Sequence, residues 1–150
     1  MLFCAREGGR FRESYYWDSL FIVRGLLVCD MLVTALGVVK NLLFLCRERG
    51  FVPNGARSYY LNRSQPPLLS EMVCVLFEAL RRKESCTGSE RSAALSFCRE
   101  AIPLLQKEHT FWVSQRPAFL ASLSPLNSYR ADTVRPRPES YREDIELANR

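Results

Sequence analysis

Three features of the sequence predict an all-α protein. Apolar residues fill four long segments, and clusters of turn-forming residues separate them; the segments are residues 14–28, 30–49, 68–82 and 89–113. No segment shows the strict alternation of apolar and polar residues that is typical of a half-buried strand. The composition, 47% hydrophobic and 25% charged, is that of a folded globular chain.

The first two apolar segments are predicted to form separate helices, at residues 14–28 and 30–49. On one straight helix the side chains of Asp18, Arg24 and Asp30 would point in different directions, so a break before residue 30 fits them better. Asp30 is the expected N-cap of the second helix, because an aspartate oxygen accepts the free amides of a first turn.

The end of the second helix is marked by charge and by glycine. Arg47 and Arg49 complement the negative end of the helix dipole, and Gly50 is placed to end the helix in a left-handed conformation. Residues 51–67 contain too many turn formers to be helical, and the third helix is expected over residues 68–82.

The last two helices carry specific signals. Pro103 lies inside the helix predicted over residues 89–113 and should kink or split it. Near the end of the chain, Ser140 and Glu143 fit a capping box, so a helix is expected from residue 141. Pro138, just ahead of it, favours an extended entry.

Charge and hydropathy argue against two classes of protein. The formal net charge is +5, but the 21 basic residues are scattered and no nucleic-acid-binding motif accompanies them, so we expect no nucleic-acid partner and keep this class as a weak rival. The apolar stretch from residue 20 to residue 46 is interrupted by Arg24, Asp30 and Lys40, and a membrane span is not expected. The first seven residues lack the apolar core of a secretory signal.

The cysteines and the histidine favour structural roles. The six cysteines form no Cys-x-x-Cys pair, and four of them lie in apolar helical segments, so buried free thiols are expected rather than disulfides or metal ligands. His109 has no partner at metal-ligand spacing and is predicted to lie on a helix surface. No metal site is therefore expected.

Three blocks of the sequence combine aromatic, basic and amide or acidic side chains. The first runs from Gly8 to Asp18, the second covers residues 50–67, and the third covers residues 135–144. Planar donors and acceptors suit paired sugar hydroxyls, and aromatic faces suit the C–H surfaces of a sugar ring. The first block in particular is of the kind that binds a sugar.

The three blocks resemble, in order, signature segments of the trehalases, the glycosidases that split α,α-trehalose. The first block departs from the family pattern at Glu7, where proline is expected, and at Leu20, where tyrosine is expected. In the second block, Ala56 replaces the second glycine. Residues 102–112 also resemble a family helix, so the resemblance spans nearly the whole chain.

The resemblance implies a fold and a domain assignment. Trehalases fold as an α/α toroid of six helical hairpins around the sugar site, and this chain is expected to be a partial α/α toroid. Twelve helices of roughly 12 residues with linkers of about 5 need on the order of 200 residues, whereas this chain has 150. Residues 1–150 are expected to be part of a trehalase catalytic domain, truncated at the C-terminal end and also at the N-terminal end.

The resemblance also implies the chemistry. Family members hydrolyse trehalose with inversion and without a cofactor, and their catalytic acid and base lie downstream of the third block, outside this chain. The residues that match the sugar-binding shell of the family are Arg10, Phe11, Tyr15, Trp17, Asp18, Asn54, Arg63, Ser64, Gln65, Arg137, Pro138 and Glu139. Trehalose is the implied partner.

Several of these residues have structural alternatives. Tyr15 and Trp17 are also compatible with core aromatics of the first helix, and Asp18 with a helix cap. Residues 62–64 form a glycosylation sequon, which we discount because a glycan would occupy the proposed site. Glu139 stands near Arg137 and suits binding better than acid catalysis.

Two functions from different classes remain. The first is an α,α-trehalase-type glycosidase, of which this chain carries the binding loops; the second is a catalytically inactive helical module that binds sugar or a partner. The isolated chain is expected to be inactive, poorly soluble and loosely packed. The apolar residues expected to lack partners are Leu26, Leu27, Val38, Val39, Leu42 and Leu43.

Overall fold

A computed structural model describes residues 13–82, 88–115, 117–118, 126–127 and 135–150. Across these residues the chain forms five α-helices, α1 Asp18–Val28, α2 Leu32–Arg49, α3 Leu69–Arg82, α4 Gly88–Gln115 and α5 Tyr141–Ala148. Short 3-10 turns cover Ser58–Asn62 and Pro138–Ser140. The predicted all-α class is confirmed. Two strands of two residues each, Pro117–Ala118 and Leu126–Asn127, pair antiparallel, and the sequence did not predict them.

The core lies between the first four helices. Helix α2 packs against α1, α3 and α4, and α3 also packs against α1 and α4. The buried residues at the centre of this cluster include Val23, Val39, Met72, Leu76 and Ala101. Each helix contributes at least one of these side chains, so burial of apolar surface holds the four helices together.

The helix directions bring the predicted binding blocks to one end of the helix layer. The start of α1 contacts the loop before α3, because the Trp17 amide donates to the side-chain oxygen of Gln65 at 3.0 Å. The last part of α4 reaches the same place, since the Tyr16 hydroxyl donates to Glu108. We call this the loop end: the starts of α1 and α3 and the last turns of α2 and α4. The opposite end is the far end.

The junction between α1 and α2 differs from the prediction. Asp30 is not an N-cap; it has a left-handed φ of 55°, and Met31 precedes the first residue of α2. The Asp30 amide donates to the Leu27 carbonyl and the Met31 amide donates to the Leu26 carbonyl. These two bonds form a Schellman motif, so Asp30 serves the end of α1 rather than the start of α2.

The end of α2 agrees with the prediction, and the start of α1 does not. Gly50 follows α2 with a left-handed φ of 88°, and Arg47 and Arg49 lie in the last turn, as predicted. Helix α4 continues through Pro103 and is not split by it. Helix α1 begins four residues later than predicted, because Tyr15 instead pairs with Gly55 in an isolated antiparallel bridge.

The cysteine prediction is partly wrong. Cys29, Cys46, Cys74 and Cys98 are free thiols, as expected, but Cys29 and Cys74 are exposed and only Cys46 is fully buried. Cys29 is exposed because it caps α1 at the far end. Cys4 and Cys86 lie outside the described residues. His109 lies exposed on α4, as predicted.

The prediction that six apolar helix residues lack packing partners is also wrong. Four of them belong to the buried core and Leu26 and Leu27 pack partly buried against it; the four are Val38, Val39, Leu42 and Leu43. Exposed apolar side chains occur elsewhere, including Phe21, Val28 and Val33. Among the described helices, none is both long and apolar enough to cross a membrane.

We predict that Leu76→Ala lowers the free energy of unfolding by about 2 to 5 kcal/mol, because it removes a fully buried side chain and leaves a cavity. Val33→Ala is the matched control, since Val33 is 83% exposed, and its effect should stay within about 0.5 kcal/mol. Urea denaturation of both variants measures the difference. Equal losses would mean that the assigned core is wrong.

Candidate substrate-binding site

Backbone hydrogen bonds join the first two sequence blocks at the loop end. The Tyr16 amide donates to the Asn54 carbonyl at 3.2 Å, and the Asn54 amide donates to the Arg63 carbonyl at 3.0 Å. The bond from the Trp17 amide to Gln65 adds a third link. These bonds fix the backbone of both blocks and place their side chains on neighbouring segments.

Tyr60 fills the space beneath this loop. Its side chain is 1% exposed, and its hydroxyl lies 3.3 Å from the hydroxyl of Tyr15. Burial, followed by hydrogen bonds to neighbouring tyrosines, raises the pKa of Tyr60, so it stays neutral. Gly55 passes so close that an added Cβ would lie 2.7 Å from the Tyr60 ring. Position 55 therefore requires glycine for space.

Ala56, the departure from the family pattern, is compatible with this loop. Its side chain is exposed. Among the described residues other than glycine, only Asp30 has a positive φ, so Ala56 adopts an ordinary backbone conformation. A side chain at position 56 thus costs neither space nor strain.

Arg63 connects the second block to the third. Its guanidinium forms an ion pair with the carboxylate of Glu139, and its side chain is only 12% exposed. The same guanidinium lies over the Tyr60 ring, with 4.9 Å between its central carbon and the ring centroid. Its Nε atom is buried and has no hydrogen-bond partner among the residues that the structure describes. Arg63 is therefore held on two sides and keeps one donor unused there.

Arg137 has a different partner from the one its position suggested. Its side chain and its backbone amide both bind the carboxylate of Asp144, with the closest contact at 2.6 Å. Hydrogen bonds from Arg137 lower the pKa of Asp144 to about 2. These hydrogen bonds between Arg137 and Asp144 hold the start of α5 in place. Ser140 is the N-cap residue, as predicted, but the predicted side-chain cap hydrogen bond is absent.

The remaining predicted residues differ in exposure. Trp17 is 44% exposed, and Asp18 lies part-buried in the first turn of α1, where Trp17 is the N-cap residue. Pro138 is exposed at the start of a 3-10 turn. The Ser64 hydroxyl is buried and donates to the Val52 carbonyl at 2.5 Å. Its role is therefore structural. Arg10 and Phe11 lie outside the described residues.

The core aromatic of the first block is Tyr16, which the sequence analysis did not single out. It is 1% exposed, whereas Tyr15 is part-buried and precedes the helix. Its hydroxyl donates to the Glu108 carboxylate at 2.6 Å and accepts the Leu69 amide at 2.9 Å. Burial and the adjacent Glu108 charge raise the pKa of Tyr16, so the phenol keeps its proton.

Glu108 is the second residue that the sequence analysis missed. It is 3% exposed, and burial raises its pKa to about 7, although hydrogen bonds from Tyr16 and the Val52 amide act in the opposite direction. One signal in the sequence points to it: Glu108 falls in phase with the buried face that carries Phe97 and Ala101. A carboxylate in phase with an apolar stripe lies on the side of the helix that faces the core.

Two grooves in the described part of the chain lie away from these residues. One, of about 570 Å³, is at the far end between α1, α2 and α3, and includes Arg24, Val28 and Arg82. The other, of about 280 Å³, lies between α2 and α4. Neither of these two grooves is lined by a predicted binding residue.

We predict that Gly55→Ala lowers the free energy of unfolding by about 1 to 3 kcal/mol, because the new methyl group overlaps the buried Tyr60 ring. Ala56→Ser is the matched control at the next position, where the side chain is exposed. In a Tyr60→Leu background the loss from Gly55→Ala should shrink. Chemical denaturation of the five proteins, namely the wild type, the three single variants and the double variant, tests this, and an undiminished loss would contradict the clash.

A second prediction concerns pH. Because the folded-state pKa of Glu108 is about 7, against an ordinary 4.5, its stabilising contribution is complete below about pH 4.5 and is lost as the pH rises through 7. The groups facing it, the Tyr16 hydroxyl and the Cys46 thiol, have raised pKa values and stay neutral. Relative to Glu108→Gln, which cannot ionise, the wild type should therefore lose melting temperature between about pH 5 and pH 8.

Melting curves of both proteins across this range measure the effect, and Glu100→Gln, at an exposed position of the same helix, is the control. A constant difference between wild type and Glu108→Gln across the range would show that Glu108 does not titrate there.

Comparison with known proteins identifies the family. The family model for trehalase matches residues 7–150. The trehalase of Dictyostelium discoideum is 45% identical over 143 residues, which cover 92% of this chain and 22% of the relative. The probable trehalase of Oryza sativa subsp. japonica is 47% identical over 148 residues, 95% of this chain and 24% of the relative.

A solved structure agrees. The neutral trehalase Nth1 from Saccharomyces cerevisiae superposes with a TM-score of 0.77 at 33% identity, covering 96% of this chain and 25% of that chain. The predicted fold class, a partial α/α toroid, is confirmed by this match. The chain spans about a quarter of the length of the relatives it matches. It belongs to the trehalase family.

Proposed function

We propose that the protein to which this chain belongs hydrolyses α,α-trehalose to two molecules of glucose, with inversion, and that this chain supplies binding loops for the sugar. The observation that carries the proposal is the ion pair between Arg63 and Glu139. It joins two family-matched blocks that are 76 residues apart in the sequence. No cofactor and no nucleic acid enters the proposed reaction.

The available donors and acceptors suit a polyhydroxyl ligand. Gln65 uses its side-chain oxygen on the Trp17 amide, which leaves its NH₂ group as the natural donor to a hydroxyl. Arg63 has a buried Nε donor that no described residue accepts from. Trp17 has a half-exposed indole, suited to the C–H face of a sugar ring. The proposed role of these side chains is to orient trehalose.

Glu139 is proposed as a binding residue. Its carboxylate accepts a hydrogen bond from Arg63 and has oxygen lone pairs left to accept hydrogen bonds from sugar hydroxyls. An inverting glycosidase needs two carboxyl groups roughly 6.5 to 9.5 Å apart, with space for a water molecule between them. We assign that acid and base to the part of the protein downstream of these residues, and we propose that residues 1–150 alone do not turn trehalose over.

The test is to express the longest reading frame that contains these 150 residues, and, beside it, residues 1–150 alone. Glucose release from trehalose by the longer protein and none by the shorter one is expected. Proton NMR of the first products should give one α-glucose and one β-glucose, because inversion changes only the attacked anomeric centre. Two α-glucose molecules would refute inversion.

Two further outcomes decide whether Glu139 is catalytic and whether the protein is an enzyme or an inactive module. Turnover by residues 1–150 that disappears on Glu139→Gln would make Glu139 catalytic. A reading frame that ends at Arg150, with sugar binding and no turnover, would favour the alternative of a catalytically inactive module.

We predict that Arg63→Ala lowers kcat/KM for trehalose by roughly tenfold to more than a hundredfold, since loss of a charged donor costs about 1.5 to 3 kcal/mol. Arg63→Lys keeps the charge but not the planar fork and should recover only part of the loss. Arg82→Ala is the matched control, because Arg82 is exposed at the far end and pairs with Glu78. Steady-state kinetics that are the same for Arg63→Ala and Arg82→Ala would count against a binding role.

A further inference from the structure

The buried carboxylate of Glu108 has no task in the proposed reaction, yet it holds together the segments that carry the binding loops. It accepts the Tyr16 hydroxyl at 2.6 Å, and the backbone amide of Val52 lowers its pKa by hydrogen bonding. The Tyr16 hydroxyl in turn accepts the Leu69 amide at 2.9 Å. One carboxylate and one phenol therefore connect α4 to the starts of α1, of the second block and of α3.

Tyr16 and Val52 each lie within one or two residues of a proposed sugar contact. Tyr16 stands between Tyr15 and Trp17, and its amide is bonded to the Asn54 carbonyl. Val52 is two positions before Asn54, and its carbonyl accepts the hydroxyl of Ser64. A displacement of Glu108 therefore reaches both blocks through short, hydrogen-bonded paths.

An apolar side chain at position 108 would not replace this arrangement. The neighbouring core positions of α4 hold Phe97 and Ala101, and burying a carboxylate among them has a desolvation cost. Without an acceptor at position 108, the Tyr16 hydroxyl and the Val52 amide would both lose their partner, and a buried donor without an acceptor is destabilising. The carboxylate is thus suited to orienting two donors at once.

We propose that Glu108 is a positioning residue of the sugar site, which acts through Tyr16 and Val52 to set the positions of Trp17, Asn54 and Gln65. This inference rests on the proposed trehalose hydrolysis for its kinetic consequence. Its structural consequence, that the two blocks loosen when the carboxylate is removed, is independent of the substrate.

The kinetic test uses the complete enzyme. Glu108→Ala should raise KM for trehalose by roughly tenfold or more, since small misplacements of binding groups have large effects, and Tyr16→Phe should act in the same direction. Glu108→Gln keeps a side-chain oxygen for Tyr16 and should restore part of the loss. Leu76→Ala is the control for general destabilisation: it empties a fully buried core position two turns into α3, and its KM should stay within about twofold of wild type.

The structural test uses amide hydrogen exchange of the complete enzyme, measured without sugar. Glu108→Ala should speed exchange in residues 15–20 and 52–65 by roughly tenfold or more, and leave residues 32–40 at the far end nearly unchanged. Glu100→Gln should change neither region.

The two measurements separate the two proposals. Wild-type enzyme without turnover on trehalose would refute the proposed function, while the exchange data would still decide the role of Glu108. Exchange that is unchanged in residues 52–65, or that rises equally in residues 32–40, would overturn the positioning role. So would a KM for Glu108→Ala that matches the KM for Leu76→Ala.

Discussion

The hydroxyl of Tyr16 is the contact on which the loop end depends. It donates to Glu108 on α4 and accepts the amide of Leu69 at the start of α3, while its own backbone leads into α1. Three helices thus meet at one buried oxygen atom. Apolar packing alone is non-directional and would leave the helices free to slide by small distances, whereas two short hydrogen bonds in a dry environment fix both distance and angle.

The predicted binding residues are held both through the backbone and through side chains. The Tyr16 amide donates to the Asn54 carbonyl, and the Trp17 amide donates to the side-chain oxygen of Gln65. Arg63 and Arg137 are each held by an ion pair with a carboxylate. The backbone bonds order the loops, and the Trp17 side chain stays 44% exposed beside them.

Much of this architecture could be predicted from the sequence, because its signals are local. The apolar segments gave the helices to within a few residues, Gly50 marked the end of α2, and the three blocks identified the family. Asp30 was misassigned because one aspartate suits an N-cap and also tolerates a left-handed conformation. The Schellman hydrogen bonds at the end of α1 decide between the two. Glu108 and Tyr16 were missed because their partners are distant in sequence; 92 residues separate them.

The antiparallel helices place the loop end and the far end of the molecule a helix length apart, about 20 Å for the 14 residues of α3 at 1.5 Å per residue. The exposed apolar residues Val28 and Val33 lie at the far end, outside the hydrogen-bond network of Tyr16. The exposed far surface and the hydrogen-bonded loop end are therefore separate regions of the same small layer. Such separation favours evolvability: the far surface can accumulate substitutions that change solubility while the loop end keeps its geometry.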